Sequence, residues 1–96
     1  MNQTPPSFPW DKTCQAFKAM AHPTRLQILV ILSQAERAVG ELGEMLPISQ
    51  ANLSQHLQLL KDKGLLSCRR QGKQVLYRLR DNRLLGLLAL ARDLFA

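Results

Sequence analysis

Two histidines, two cysteines, one tryptophan and one tyrosine are all that this chain of 96 residues holds of those side chains. No carboxylate pair stands near either histidine, and there is no glycine-rich phosphate loop. Little remains from which a catalytic group could be assembled, so an enzyme is not expected. Two cysteines are too few for a disulfide framework, which fits a reducing compartment. No apolar run approaches the ~20 residues that cross a bilayer. The opening MNQTPPSFP has neither a basic segment nor an apolar one and is not read as a secretory signal. A soluble, cytoplasmic protein with no membrane partner is the expectation. The length allows one domain with a modest core, and such a domain often completes its core by oligomerising.

Acidic residues are scarce where they matter most. The chain carries 13 Lys and Arg against 7 Asp and Glu, a net charge of +6. Residues 49–80 hold Lys61, Lys63, Arg69, Arg70, Lys73, Arg78 and Arg80 against Asp62 alone, while the rest is balanced at six against six. The whole excess therefore lies on one third of the chain. A local excess makes a one-sided field that attracts a polyanion, nucleic acid first and an anionic surface second.

That basic third begins with the stretch around which the chain is organised, SQANLSQHLQLLKDK at residues 49–63. Leu53, Leu57 and Leu60 fall on one helical stripe. Ala51, Ser54, Gln55, Gln58 and Asp62 project from the other side, and Ser49 stands where an N-cap belongs. Amide side chains offer a donor and an acceptor together, the pattern that matches adenine in the major groove. Gly64 stops this helix. Two short strands at residues 65–70 and 74–80 then flank a basic tip, Arg69-Arg70-Gln71-Gly72-Lys73. Val75, Tyr77 and Leu79 alternate with Leu76, Arg78 and Arg80, as in a half-buried strand.

Upstream, three prolines and no periodicity mark residues 1–9 as a flexible arm, with residues 10–96 forming the domain. A first helix over residues 10–21 places Trp10, Cys14, Phe17 and Ala21 on one face, expected to pack on another helix. His22-Pro23 breaks it, and Pro23 suits the first position of the next. A ligand or base role for His22 is weaker than a structural hydrogen bond at that helix start. Residues 24–33 are apolar almost all round, the pattern of a central buried helix with Arg25 and Gln27 as its solvent contacts. Residues 34–38 read as a polar connection. A short helix at residues 39–46 turns Val39, Leu42, Met45 and Leu46 inward, and Pro47 ends it. Short helix, tight turn and polar-faced helix give helix-turn-helix order. Residues 83–95 form a last helix behind Asp81-Asn82, with too many leucines for a small monomer. A homodimer through the first and last helices is expected, with Trp10, Phe17, Leu84, Leu87, Leu88, Leu94 and Phe95 at the interface.

The ordered motifs KAMAHPTRLQILVIL, VGELGEML, ISQANLSQHLQLLKDKGLL and RRQGKQVLYRL resemble the ArsR/SmtB family of winged-helix bacterial repressors, over about residues 15–80. The resemblance implies a mainly α fold with a small β-hairpin (α+β), a winged helix-turn-helix in the order four helices, two strands, one helix. It implies a homodimer that binds double-stranded DNA at an imperfect inverted repeat, as a repressor of transcription. Carried over position by position, Ser49, Gln50, Ala51, Ser54, Gln55 and His56 belong to the recognition helix, and Arg69, Arg70, Lys73 and Gln74 to the wing. Gln50 and Gln55 are expected at base edges, Ser54 and His56 at phosphates, and Arg69, Arg70 and Lys73 as electrostatic clamps. The family's usual metal sites have no counterpart: VGELGEML lacks cysteine and the last helix lacks histidine, so no metal and no cofactor are expected. Cys14 and Cys68 are the redox candidates, against the plainer reading of small apolar residues. The alternative function is a winged-helix module that binds protein or an anionic surface without reading DNA sequence.

Overall fold

The computed structural model describes residues 7–96. The elements run α1 (Trp10–Met20), α2 (Pro23–Gln34), β1 (Arg37–Ala38), α3 (Val39–Met45), α4 (Gln50–Asp62), β2 (Leu66–Gln71), β3 (Gln74–Leu79) and α5 (Leu84–Phe95). Most of the arm expected at residues 1–9 lies outside the described residues. Within the remainder, Phe8 packs its ring on Trp10 at a centroid distance of 4.4 Å.

Local chemistry sets most boundaries. His22 caps α2, its Nδ1 accepting from Thr24 N at 3.1 Å, with Pro23 as the first helical residue. Glu41 Oε1 accepts from Ala38 N at 2.9 Å and starts α3. Ser49 Oγ accepts from Asn52 N at 3.1 Å at the start of α4. The other end of α4 closes in a Schellman turn. Gly64 takes φ +79°, its N–H reaches Lys61 O, and Leu65 N–H reaches Leu60 O. At the hairpin tip, Gly72 at φ +63° opens a two-residue loop, the position where a II′ turn wants glycine.

Ile28, Leu29, Leu42, Leu53, Leu57, Leu60 and Leu66 are fully buried and form the centre of the core, with Tyr77 and Leu79 closing it from the sheet side. The sheet departs from the expected hairpin. It has three strands in the order β1-β3-β2, because residues 37–38, expected as connection, pair with Tyr77 and Leu76. Strict alternation along β3 fails for the same reason: Leu76 is buried along with Tyr77 and Leu79, since its partner Ala38 brings a strand beside it. The hairpin register pairs Leu66 with Leu79, Cys68 with Tyr77 and Arg70 with Val75.

The helical faces depart further. α2 buries Ile28, Leu29 and Leu32, but Leu26 (41%) and Val30 (45%) are exposed, while Arg25, expected in solvent, is half-buried. Met45, expected inward, is 47% exposed. Leu26, Val30 and Met45 line an open groove between α2 and α3. On α1 the core side is Ala16, Ala19 and Met20, and the face of Trp10, Cys14, Phe17 and Ala21 points outward. No residue of α5 is buried; Leu84 and Leu88 lean on the core, and Leu85, Leu87, Leu90, Leu94 and Phe95 are exposed. The chain is elongated, 51 × 29 × 22 Å, with a radius of gyration of 14.6 Å. A closed domain of ~100 residues has about 13 Å.

Candidate nucleic-acid interface

α4 carries the site because its leucine stripe leaves one side free. With Leu53, Leu57 and Leu60 in the core, Gln50, Ala51, Ser54, Gln55 and Gln58 are all exposed. The side chains are not equally available. Gln58 Nε2 donates to Asp62 Oδ1 at 2.8 Å, which ties up the far end of the face. The Ser49 hydroxyl is engaged as the cap. Among the described residues Gln50, Ser54 and Gln55 have no side-chain hydrogen-bond partner, and they stand as a small, neutral, exposed edge.

The hairpin tip reaches the start of α4. Gln50 of α4 and Lys73 and Gln74 of the tip line one cleft of about 500 Å³. Its α3 wall brings Glu41 and Glu44 to the same cleft. Glu41 is engaged at Ala38 N and stands 3.5 Å from Arg37 Nη1. Thus two elements that sequence reading treated separately, the amide-bearing helix start and the basic tip, face one concavity. Arg70, Gln71, Lys73 and Gln74 are exposed.

Arg69 differs from its neighbours. Its Nε and Nη2 donate to Glu36 Oε2 and Oε1 at 3.0 and 2.8 Å, a bidentate pair that ties the hairpin to the residue just before β1. The hydrogen bond from Arg69 holds the Glu36 carboxyl below its ordinary value, and the pair raises Arg69 in turn. Glu36 is a functional neighbour that sequence reading missed. The two residues are 33 positions apart, and no local spacing announces the pairing.

His56 is half-buried and turned toward α2. Its ring lies 4.8 Å from that of His22, and Arg25 Nη1 stands 3.5 Å from its Nδ1. Burial, then His22 and Arg25, push this imidazole below its ordinary value. Arg25 is itself fixed, its Nε donating to Ala19 O at 2.6 Å. Cys14 is exposed and Cys68 half-buried, and both are free thiols. Cys68 faces Tyr77 across the hairpin, where burial and then the thiol raise the phenol. Among the described residues no three His, Cys, Asp or Glu side chains come together, so the donors for a metal are not assembled. No helix among those residues is long and apolar enough to cross a membrane.

Comparison with known proteins gives a consistent set. The profile described as "Bacterial regulatory protein, arsR family" matches residues 22–67. A probable mercury resistance operon repressor of Streptomyces lividans is 43% identical over 86 residues, spanning 90% of this chain and 69% of the relative. A biofilm growth-associated repressor of Agrobacterium fabrum is 42% identical over 71 residues, or 74% of this chain. The match spans only 61% of that relative's length. Among solved structures, HlyU from Vibrio cholerae superposes with a TM-score of 0.83 at 37% identity, covering 93% of this chain and 97% of that one. The homodimeric winged helix-turn-helix DNA-binding domain of a possible ArsR-family regulator from Mycobacterium bovis superposes with a TM-score of 0.85 at 32% identity, covering 98% and 89%.

Proposed function

The chain belongs to the arsR family of bacterial regulatory proteins, and from that premise we propose that it is a homodimeric, sequence-specific DNA-binding regulator of transcription that represses by occupying a promoter. The observation that carries this reading is the unpartnered amide and hydroxyl edge of α4, Gln50, Ser54 and Gln55, set beside an exposed basic hairpin tip. Gln50 and Gln55 contact base edges in the major groove. Ser54, Arg70 and Lys73 contact phosphates, with Gln74 at the minor-groove side of the wing and Ala51 keeping the helix close to the bases. The dimer forms through the outward faces of α1 and α5, which pair Trp10 and Phe17 with Leu87, Leu94 and Phe95. Two-fold symmetry then calls for an imperfect inverted repeat with half-sites about 34 Å apart. A module that binds protein or an anionic surface needs no neutral amide edge, and that edge is what disfavours it.

The test is selection of duplexes from a randomised pool, followed by gel shifts on the enriched sequence and a scrambled control. A palindromic consensus is expected, bound at least ~100-fold tighter than the scramble. Replacing Gln50 and Gln55 together by alanine should erase most of that ratio, while Lys73→Ala should weaken both duplexes alike. Equal, salt-sensitive binding to both duplexes by the parent chain is the result that removes the proposal.

A further inference from the structure

His22 and His56 share an unusual demand. His22 uses Nδ1 to accept the Thr24 N–H that starts α2, at 3.1 Å. His56 presents Nδ1 to the Arg25 guanidinium, a long contact at 3.5 Å. A guanidinium can only donate, so His56 Nδ1 must hold its lone pair. Both imidazoles are therefore used as acceptors at the same ring atom, and both are needed neutral. Their rings lie 4.8 Å apart, with Arg25 beside them. Arg25 also reaches back to the Ala19 carbonyl at 2.6 Å. One guanidinium thus joins the end of α1, the first turn of α2 and the middle of α4.

We propose that Arg25 is a positioning residue for DNA binding, acting through His56 to fix the pose of α4, so that sequence-specific affinity is lost as the His56 imidazole takes up a proton. This rests on the DNA-binding reading above and deepens it. His56 sits next to Gln55 in the chain, on the edge of α4 between the reading edge and the leucine stripe. A proton on His56 replaces an acceptor with an N–H aimed at a cation and leaves two positive groups, His56 and Arg25, in contact. The titratable and charged neighbours that His56 feels are His22, which caps α2, and Arg25 in its first turn. The adjoining groove between α1, α2 and α4 adds Lys18 and Lys63 and no carboxylate. Relief comes from separating α4 from α2.

The sign separates this role from a phosphate contact by His56. Protonation adds positive charge, and for a side chain resting on a phosphate it strengthens DNA binding. For a positioning group it weakens it. Lowering of the His56 pKa places the loss below about pH 6.5.

The experiment measures affinity for the selected duplex and its scramble by fluorescence anisotropy from pH 8 to pH 5 at constant ionic strength. For the selected duplex, log affinity should fall with a slope approaching about one per pH unit for each proton excluded. His56→Gln keeps an acceptor that cannot titrate, and the slope should shrink whatever its affinity at pH 8. His56→Arg fixes the charge and should bind the selected duplex more weakly than the parent at pH 8. Circular dichroism melts accompany each variant. If His56→Arg does not fold, the parent profile and His56→Gln decide between them. Affinity of the parent that stays flat or rises toward pH 5, or tighter binding by His56→Arg, overturns the positioning role while leaving the DNA reading intact. A parent chain that prefers no duplex at pH 8 overturns both.

Discussion

Replacing Glu36 by glutamine should strengthen DNA binding and make it more dependent on salt. In the free protein Arg69 is the one tip arginine whose guanidinium is held, by two hydrogen bonds of 3.0 and 2.8 Å to Glu36. About half of the Arg69 side chain is exposed, so it can leave the carboxylate for a phosphate without unpacking anything. Glutamine keeps the size of the side chain and removes the charge that retains the guanidinium. Each phosphate newly neutralised steepens the slope of log affinity against log salt by about 0.9. Between about 50 and 200 mM salt, one more contact therefore costs a further ~3.5-fold in affinity. Anisotropy titrations of parent and Glu36→Gln on one duplex over that range read the difference directly. The pair is exposed and should add little to folding, so melting curves of the two proteins should nearly coincide. An unchanged slope would refute the reasoning, because Arg69 would then stay off the backbone. A shallower slope would refute it too, showing that Glu36 orders the hairpin that DNA needs.

Other outcomes follow from the same geometry. Ser49→Ala leaves the Asn52 N–H at the start of α4 without its acceptor. The loss should be about 1 kcal/mol, seen at fixed protomer concentration as a melting point lower by about 4–8 °C. Leu90→Glu puts a charge on the exposed face of α5. If each protomer buries that leucine, symmetry doubles a contribution of about 1.5–3 kcal/mol, and dimer dissociation should ease by about two to four orders of magnitude. Sedimentation equilibrium measures this, and an unaltered dimer would take α5 out of the interface. Asp81 accepts hydrogen bonds from the Arg83 side chain and backbone, which lower its carboxyl to about 2. A depressed carboxyl contributes stability above its ordinary value and loses it as pH falls from there to about 2. The Asp81 side-chain carbon signal should titrate near that value by NMR, and a midpoint near 4 would mean the pair is not held in solution.

Where a residue's fate is decided within its own helix, the sequence made it legible. Leu53, Leu57 and Leu60 had to be buried once the helix existed, because they form its one apolar stripe, with Leu59 at its edge. Ser49 and Gly64 bracket that helix through bonds spanning only a few residues. The hairpin was legible from Gly72 and the apolar residues on either side. β1 was not, since two residues carry no period and Ala38 is recruited by Leu76 from 38 positions away. Pairings between distant segments were equally hidden: Glu36 with Arg69, and Arg25 with His56. The all-round apolar pattern of α2 misled for a different reason. It states that both sides of the helix avoid water, but not that one molecule covers both. Ile28, Leu29 and Leu32 found the core, while Leu26 and Val30 did not.

The same division runs through α1, and there it connects the two surfaces of the molecule. α1 supplies the Ala19 carbonyl to Arg25, whose guanidinium reaches His56 of α4. Its exposed Gln15 amide oxygen accepts from Lys63 Nζ at 3.0 Å just past the end of α4, so α1 meets α4 through one relay and one surface bond. The outer side presents Trp10 and Phe17, both more than half exposed. Packed helices shift as bodies of one or two ångströms, not by bending around a single side chain. Any partner seated on Trp10 and Phe17 therefore acts on the orientation of α4 across the thickness of one helix. For the dimer proposed here, the contacts that hold two protomers together also set the angle at which Gln50 and Gln55 meet a duplex.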